Sequence, residues 1–309
     1  MRVYHQISEF TSYSHPVATV GVFDGVHLGH MEIISRLSAM AREKQSESVV
    51  VTFEPHPRLV LPHHAEVKLL HTLSEKLERF RIAGVDAVLI IPFDLEFSKL
   101  TPYDFIKNVL VGCLKVSHVI TGYDHFFGQN RQGNYNLLSE MGKEFGFTVD
   151  ELPMVSVSSN TVSSSSVRRD LLDGDVALAA SMLGYSYSIT GEVVTGNKIG
   201  RNIGYPTANL KPASTHKLVP GQGVYATTIR IEGEIHKGMT NIGYRPTIDA
   251  DHLTIEVNIF NFNSDIYSRE ITLSFIDRIR NEKRFASLGD LQHQLANDKV
   301  VAVKLMEEL

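Results

Sequence analysis

An apolar run from Val17 to Phe23 leads into Asp24-Gly25-Val26-His27-Leu28-Gly29-His30, after which apolar residues recur at Ile34, Leu37 and Ala41. The run predicts a buried strand, the glycines a tight turn, and the spacing from Met31 a helix with one apolar face. A strand that feeds a helix through so short a turn belongs to a sheet covered by helices, and that restricts the fold more than any other segment does. His27 and His30 stand three apart at the turn, on one face. Backbone N–H groups at a helix start favour phosphate, and a histidine pair beside them meets the charge of a phosphoryl-transfer transition state. The bland alternative is a surface turn that holds two of fourteen histidines.

The same rhythm continues. Ser48–Phe53, Ala87–Ile91, Ser117–Thr121 and Thr148–Leu152 are short runs with few charges, and they predict further strands. Between them Met31–Lys44, Ser74–Ala83, Pro102–Leu114 and Tyr135–Phe145 carry helical patterns, and Ser164–Leu172 with Val176–Leu183 closes this half. Strands of this kind build a parallel sheet that binds ligands beyond the carboxyl ends of its strands, where His27 and His30 fall.

From Tyr187 the pattern changes to short strands split by Gly, Asn and Asp turns: Ile189–Val194, Val224–Ile231, His236–Asn241, Leu253–Phe260 and Glu270–Phe275. They predict a small antiparallel barrel, with a helix from Leu288 to about Glu308 after it. A chain of 309 residues exceeds the ~250–300 at which single cores divide, so two domains are expected, 1–185 and 186–309. The formal charge of −5 argues against nucleic acid or an anionic membrane as partner. Cys113 is the one cysteine, which excludes an internal disulfide and fits a small buried hydrophobe. No stretch approaches the ~18 apolar residues of a membrane span, and a cytoplasmic location is expected.

Taken in order, the motifs resemble the bacterial bifunctional riboflavin kinase/FAD synthetase family along the whole chain. The first half matches at Gly21–His30, Thr52-Phe53-Glu54-Pro55-His56-Pro57, Gly122-Tyr123-Asp124 through Phe127-Gly128 with Arg131 and Gly133, and Ser163–Arg168. The second matches at Gly196–Leu210, Gly223-Val224-Tyr225-Ala226, Asn241–Thr247, Ile255-Glu256-Val257 and Arg280-Asn281-Glu282-Lys283. The resemblance implies a Rossmann-like α/β nucleotidyltransferase domain followed by a small β-barrel domain with a C-terminal helix. It implies that riboflavin is phosphorylated to FMN with ATP and FMN adenylylated to FAD, with pyrophosphate released and Mg²⁺ required.

In the first half the match implies ATP contacts from Gly21, Phe23, Asp24, Gly25, His27 and His30, with the two histidines catalytic. Ser164, Ser165 and Arg168 resemble a second phosphate clamp, although serines at a helix start equally suit N-caps. Asp124 and Phe127 are implied at the flavin. The family usually has an aromatic where His125 stands, which leaves the flavin contact of that loop open. In the second half the match implies that Gly196, Lys198, Gly200, Arg201 and Gly204 cradle phosphates, that Thr207 and Asn209 hold Mg²⁺ on ATP, and that Glu256 is the general base. A plain barrel turn and a solvated strand glutamate are the alternatives for that loop and for Glu256. Arg280, Glu282 and Phe285 are implied on the flavin side. Two rival functions are a His-x-Gly-His nucleotidyltransferase with another phosphorylated acceptor and a flavin-sensing regulator derived from the enzyme.

Overall fold

A computed structural model describes residues 1–11, 14–62, 67–157, 160–196, 204–246 and 251–307, which fall into two compact units, Met1–Ser163 and Ser164–Leu309. In the first, the elements run β1 (Arg2–Tyr4), β2 (Val17–Val20), α1 (Leu28–Glu43), β3 (Ser48–Glu54), α2 (Pro57–Val60), α3 (Leu73–Ile82) and β4 (Ala87–Pro92). Then follow α4 (Pro102–Phe105), which passes into a π-helical stretch over Ile106–Cys113, β5 (His118–Gly122), α5 (Tyr135–Phe145), β6 (Thr148–Leu152) and the small pair β7 (Ser156–Val157) and β8 (Asn160–Thr161). The main sheet is parallel throughout, in the order β1-β4-β3-β2-β5-β6.

Alternate residues of the buried strands feed two cores. Ala18, Val20, Val49 and Val51 pack with Phe105, Ile106, Leu110, Leu138 and Met141 on one face. Val17, Val50, Val88 and Ile120 pack with Ile34, Leu37 and Phe80 on the other. Because the chain builds outward from β2 through β3 and β4 and then returns to β5 on the opposite side of β2, the strand order reverses between β2 and β5. Ligand crevices of such sheets open at that reversal, beyond the carboxyl ends. The loops that leave β2 and β5 are Gly21–His27 and Tyr123–Asn134, so the topology sets two motif segments beside one crevice.

The second unit comprises α6 (Ser164–Asp173), α7 (Val176–Leu183), β9 (Ser188–Val194), β10 (Ala208–Pro212), β11 (Gly223–Ile231), β12 (Glu234–Pro246), β13 (Asp251–Ile259), β14 (Glu270–Arg280) and α8 (Leu288–Leu305). Its strands close an antiparallel barrel in the order β10-β13-β12-β11-β14-β9. The hydroxyls of Thr227 on β11 and Thr240 on β12 hydrogen-bond diagonally across the strands at 2.9 Å, both residues fully buried. The opposite face of those strands, at Ala226 and Met239, is covered by Ala302 of α8 and by Met306, its C-cap.

Several boundaries differ from the sequence expectation. β2 stops at Val20 instead of Phe23, because Phe23 (φ 53°), Gly25 (φ 87°) and Val26 (φ 36°) already turn the chain. β12 and β14 run to Pro246 and Arg280, since closing the barrel pairs polar stretches that show no apolar run. β1 and β10 are short strands that periodicity does not reveal. Helices α6 and α7 pack with the barrel, where Arg278 Nη1 donates to the Asp173 carbonyl at the end of α6 (3.1 Å). Cys113 is half-buried, its thiol donating to the Ile7 carbonyl at 3.4 Å.

Candidate functional sites

The β2–α1 turn is built around its aromatic rings. A side chain at Gly21 would meet the Phe23 ring at 2.9 Å, so the glycine lets that ring fold back over the strand end. Phe23 then packs edge-on against His30, with ring centroids 5.1 Å apart. His27 is the N-cap of α1, its Nδ1 accepting the His30 N–H at 3.4 Å. The His27 and His30 rings stack at 3.7 Å and 15°. The spacing in the sequence thus becomes a histidine pair at a helix N-terminus, beside the crevice. Burial holds His30 well below the ordinary imidazole range, and the charges of His27, His71 and Lys76 push the same way. Its Nδ1 is buried without a hydrogen-bond partner among the described residues.

Asp24 faces away from solvent, its carboxylate accepting the backbone N–H groups of Leu70 (3.0 and 3.1 Å) and His71 (3.0 Å). It fastens the segment that leads into α3 to the turn. That segment ends in a capping box, in which Thr72 N–H donates to Glu75 (2.8 Å) and Glu75 N–H to the Thr72 hydroxyl (3.3 Å). His56 accepts the Arg58 N–H at 3.0 Å and caps α2.

On the loop after β5, Phe127 is buried against Phe105 in the core, with Gly133 bridged to it by two backbone hydrogen bonds. Tyr123 and Phe126 are the exposed rings, and Arg131 lies over Phe126 at 5.3 Å. His125 stacks on Phe127 at 5.4 Å and 20°. Burial, helped by the Arg131 charge, lowers His125 to about 4. The unfolded chain therefore takes up this proton at a higher pH than the folded one. The stability it contributes is complete above about pH 6.5 and is lost as pH falls toward 4, by ~1.4 kcal/mol per unit. Melting temperatures measured from pH 7.5 to 4.5 are expected to fall less steeply in His125→Phe than in the wild type. Parallel curves refute the role of His125.

The second unit carries the remaining candidates. Ser164 and Arg168, four apart, share a face of the first turns of α6, while Val167 and Leu171 are buried on its inner side. In the barrel, the register sets Glu256 of β13 directly between Asn209 of β10 and Asn241 of β12. Directly paired residues share a face, so two amides flank the carboxylate at ~5 Å strand spacing. The Asn209 amide occupies the place that a Cβ at Gly196 would take, so a side chain there would displace that amide. Thr207, half-buried, precedes β10. Gly204 has φ 79°. Lys198, Gly200 and Arg201 lie outside the described residues. The row continues from Asn241 to Val224 and Arg280, which puts Arg280 on the same face as Glu256.

Arg280 is already committed. Its guanidinium donates to both oxygens of Asp298 on α8 (Nε 3.0 and 3.0 Å, Nη2 2.8 Å), and Asp298 is 1% exposed. Phe285 lies against the cations of Arg280 (5.7 Å) and Lys283 (5.2 Å), and the Glu282 carboxylate takes the space a side chain at Gly243 would need. Neither the Arg280–Asp298 pair nor Lys76 of α3, described below, was among the sequence candidates. Asn241 lay inside a motif, but only the register marks it as a neighbour of Glu256.

A histidine pair at the crevice of a parallel sheet and a carboxylate between amides on a barrel both suit phosphate transfer, in two different folds. The FAD synthetase family model matches residues 10–166 and the riboflavin kinase model residues 183–306. A bifunctional riboflavin kinase/FMN adenylyltransferase from Listeria monocytogenes is 37% identical over 285 residues, covering 92% of this chain and 90% of that one. The protein of the same description from Escherichia coli is 38% identical over 287 residues, covering 93% and 91%. A crystal structure described as a macrolide-efflux protein from Streptococcus pneumoniae matches with a TM-score of 0.88 at 29% identity, over 97% of both chains. Among the described residues no helix is long and apolar enough to cross a membrane. The chain belongs to the bifunctional riboflavin kinase/FMN adenylyltransferase family.

Proposed function

We infer that this chain phosphorylates riboflavin to FMN with ATP and adenylylates FMN to FAD, releasing pyrophosphate. The observation that carries the reading is the presence of both family modules in one chain, each with a candidate reaction centre. We assign the synthetase to the first unit and the kinase to the second, in which α6 and α7 pack with the barrel, so that the division falls before α6 instead of at 185/186, and both act in the cytoplasm on small molecules. The attached barrel speaks against an acceptor other than a flavin phosphate, and the candidate residues in both halves speak against a mere sensor.

In the kinase, Glu256 takes the proton of the ribityl 5′-hydroxyl as its oxygen forms a bond to the γ-phosphorus of ATP and the bond to ADP breaks. Asn209 and Asn241 orient that carboxylate from the adjoining strands. The amide and hydroxyl oxygens of Asn209 and Thr207 are donors of the kind a hard cation takes, and Gly196 lets backbone approach Asn209. They fit Mg²⁺, which when bound neutralises charge on the ATP phosphates. The Gly196–Gly204 loop, with Lys198, Gly200 and Arg201, holds those phosphates, and Glu282 and Phe285 border the flavin. Arg280 acts there through Asp298, fixing α8 to the barrel.

In the synthetase, an oxygen of the FMN phosphate bonds to the α-phosphorus of ATP and the bond to pyrophosphate breaks. Alignment and charge stabilisation govern such a step. His27, His30 and the amides of the α1 N-terminus meet the phosphates, aided by Gly21, Phe23 and Gly25. Asp24 holds the turn. Ser164, Ser165 and Arg168 stand at the start of α6 in the second unit and carry hydroxyls and a planar guanidinium suited to phosphate oxygens. Asp124 lies at the flavin, and Phe127 supports the loop that carries the exposed rings of Tyr123 and Phe126.

Purified protein incubated with riboflavin, ATP and Mg²⁺ is expected to yield FMN and then FAD, separated by chromatography. Without either product the reading fails. A fragment Ser164–Leu309, which keeps α6 and α7 with the barrel, is expected to make FMN but no FAD. A folded fragment without kinase activity refutes the division of labour.

A further inference from the structure

Lys76 stands on α3, a helix whose sequence around it (Glu75, Glu78, Arg79, Arg81) is that of a solvated face. The structure buries it to 6% exposure. Its ammonium donates to the Val22 carbonyl at 3.2 Å and to the Thr52 hydroxyl at 3.1 Å. Val22 belongs to the turn that carries the histidine pair, and Thr52 to the Thr52–Pro57 motif at the end of β3. No carboxylate among the described residues forms an ion pair with it; burial lowers its pKa, and the charges of Glu54 and Asp24 act against that. Burying an ammonium on two neutral acceptors costs stability, and a costly buried charge beside a reaction centre points to function.

We infer that Lys76 is a positioning residue for adenylyl transfer, a buried ammonium that locks the β2–α1 turn through the Val22 carbonyl and ties it to the end of β3 through Thr52. The inference rests on the reading of the first unit as an FMN adenylyltransferase. Burial is the largest cause that disfavours the charged form of His30, and His27 at the N-cap, His71 from the segment that Asp24 fastens and Lys76 from α3 add to it in that order. All oppose its protonation, and the Phe23 ring beside it offers no counter-charge. His30 thus meets the triphosphate as a neutral N–H donor. A neutral donor holds ATP and pyrophosphate less tightly than an imidazolium does, and its hydrogen bond strengthens as charge builds in the transition state. Removing the Lys76 charge lets His30 protonate at higher pH.

The test uses the full chain with Lys76→Met, Lys76→Gln and Lys76→Arg. Glutamine keeps a donor for the Val22 carbonyl without the charge, and arginine keeps the charge. FMN-to-FAD rates are measured from pH 5.5 to 8.5, and riboflavin-to-FMN rates on the same preparations report the barrel. The His30 C2 proton is titrated by NMR, assigned with His30→Gln. In the methionine and glutamine variants the His30 midpoint is expected to rise by a measurable fraction of a pH unit, because Lys76 is the last of the four causes that hold it down. Their FAD synthesis is expected to begin its acidic decline at higher pH than that of the wild type, and arginine to restore the wild-type profile. Unchanged His30 midpoints and pH profiles in both neutral variants overturn the role of Lys76, as does an arginine variant that titrates like glutamine. A wild-type chain that makes FMN but no FAD overturns the adenylyltransferase reading itself, a result distinct from either.

Discussion

Glu256→Gln is expected to cut riboflavin-to-FMN turnover by ~10²–10⁴-fold, the usual contribution of a positioned general base. The amide preserves the shape of the side chain and its place between Asn209 and Asn241, so the barrel should keep its melting temperature. What it removes is the ability to accept the ribityl proton. Binding of ATP and riboflavin should change much less, because the phosphates and Mg²⁺ are assigned to Thr207, Asn209 and the Gly196–Gly204 loop. A loss in kcat with little change in KM is therefore expected, the pattern of an interaction made in the transition state. The same preparation should convert supplied FMN to FAD at the wild-type rate, since that step belongs to the other unit. Wild-type FMN formation by Glu256→Gln sinks the assignment and returns Glu256 to an ordinary strand residue.

How far the sequence discloses this arrangement depends on the range of the interaction. Val49-Val50-Val51 and Ala87–Ile91 are unmistakable as buried strands because both faces are apolar, and the helices between them follow from periodicity. The histidine pair is equally local: a spacing of three at a helix start already implies neighbouring rings. The family motifs name Glu256, but the amides on either side of it come from β10 and β12, whose register no local pattern encodes. Arg280 is visible as part of a motif, whereas its partner Asp298 stands eighteen residues on, in a helix that reads as polar. Lys76 is hidden for a stronger reason. Its neighbours in sequence are those of an exposed face, and only the packing of α3 against the β2–α1 turn buries it. Charge placement is thus the part of the site that local sequence conveys least, because it depends on which elements meet.

His27→Ala and His30→Ala are each expected to slow FMN-to-FAD conversion by ~10²–10³-fold, the typical cost of one charge-stabilising donor. FMN should accumulate from riboflavin, because the kinase does not use the turn. The two substitutions differ in their effect on the fold. His27 accepts the His30 N–H as the N-cap of α1, so its loss also weakens the helix start, by ~0.5–2 kcal/mol for an ordinary cap. At 3.4 Å that bond is long, which places the effect at the lower end. His27→Asn separates the two contributions, since asparagine caps well but brings no ring to the phosphates. It should recover the melting temperature lost in His27→Ala while FAD synthesis stays low. His30→Ala removes a side chain with no capping role, whose buried Nδ1 has no partner among the described residues, so its defect should lie in catalysis. The losses should not add in the double variant, because the stacked rings act on one transition state and either deletion disrupts the pair. An unchanged FAD yield with both histidines removed would make them turn residues and move the chemistry of the first unit elsewhere.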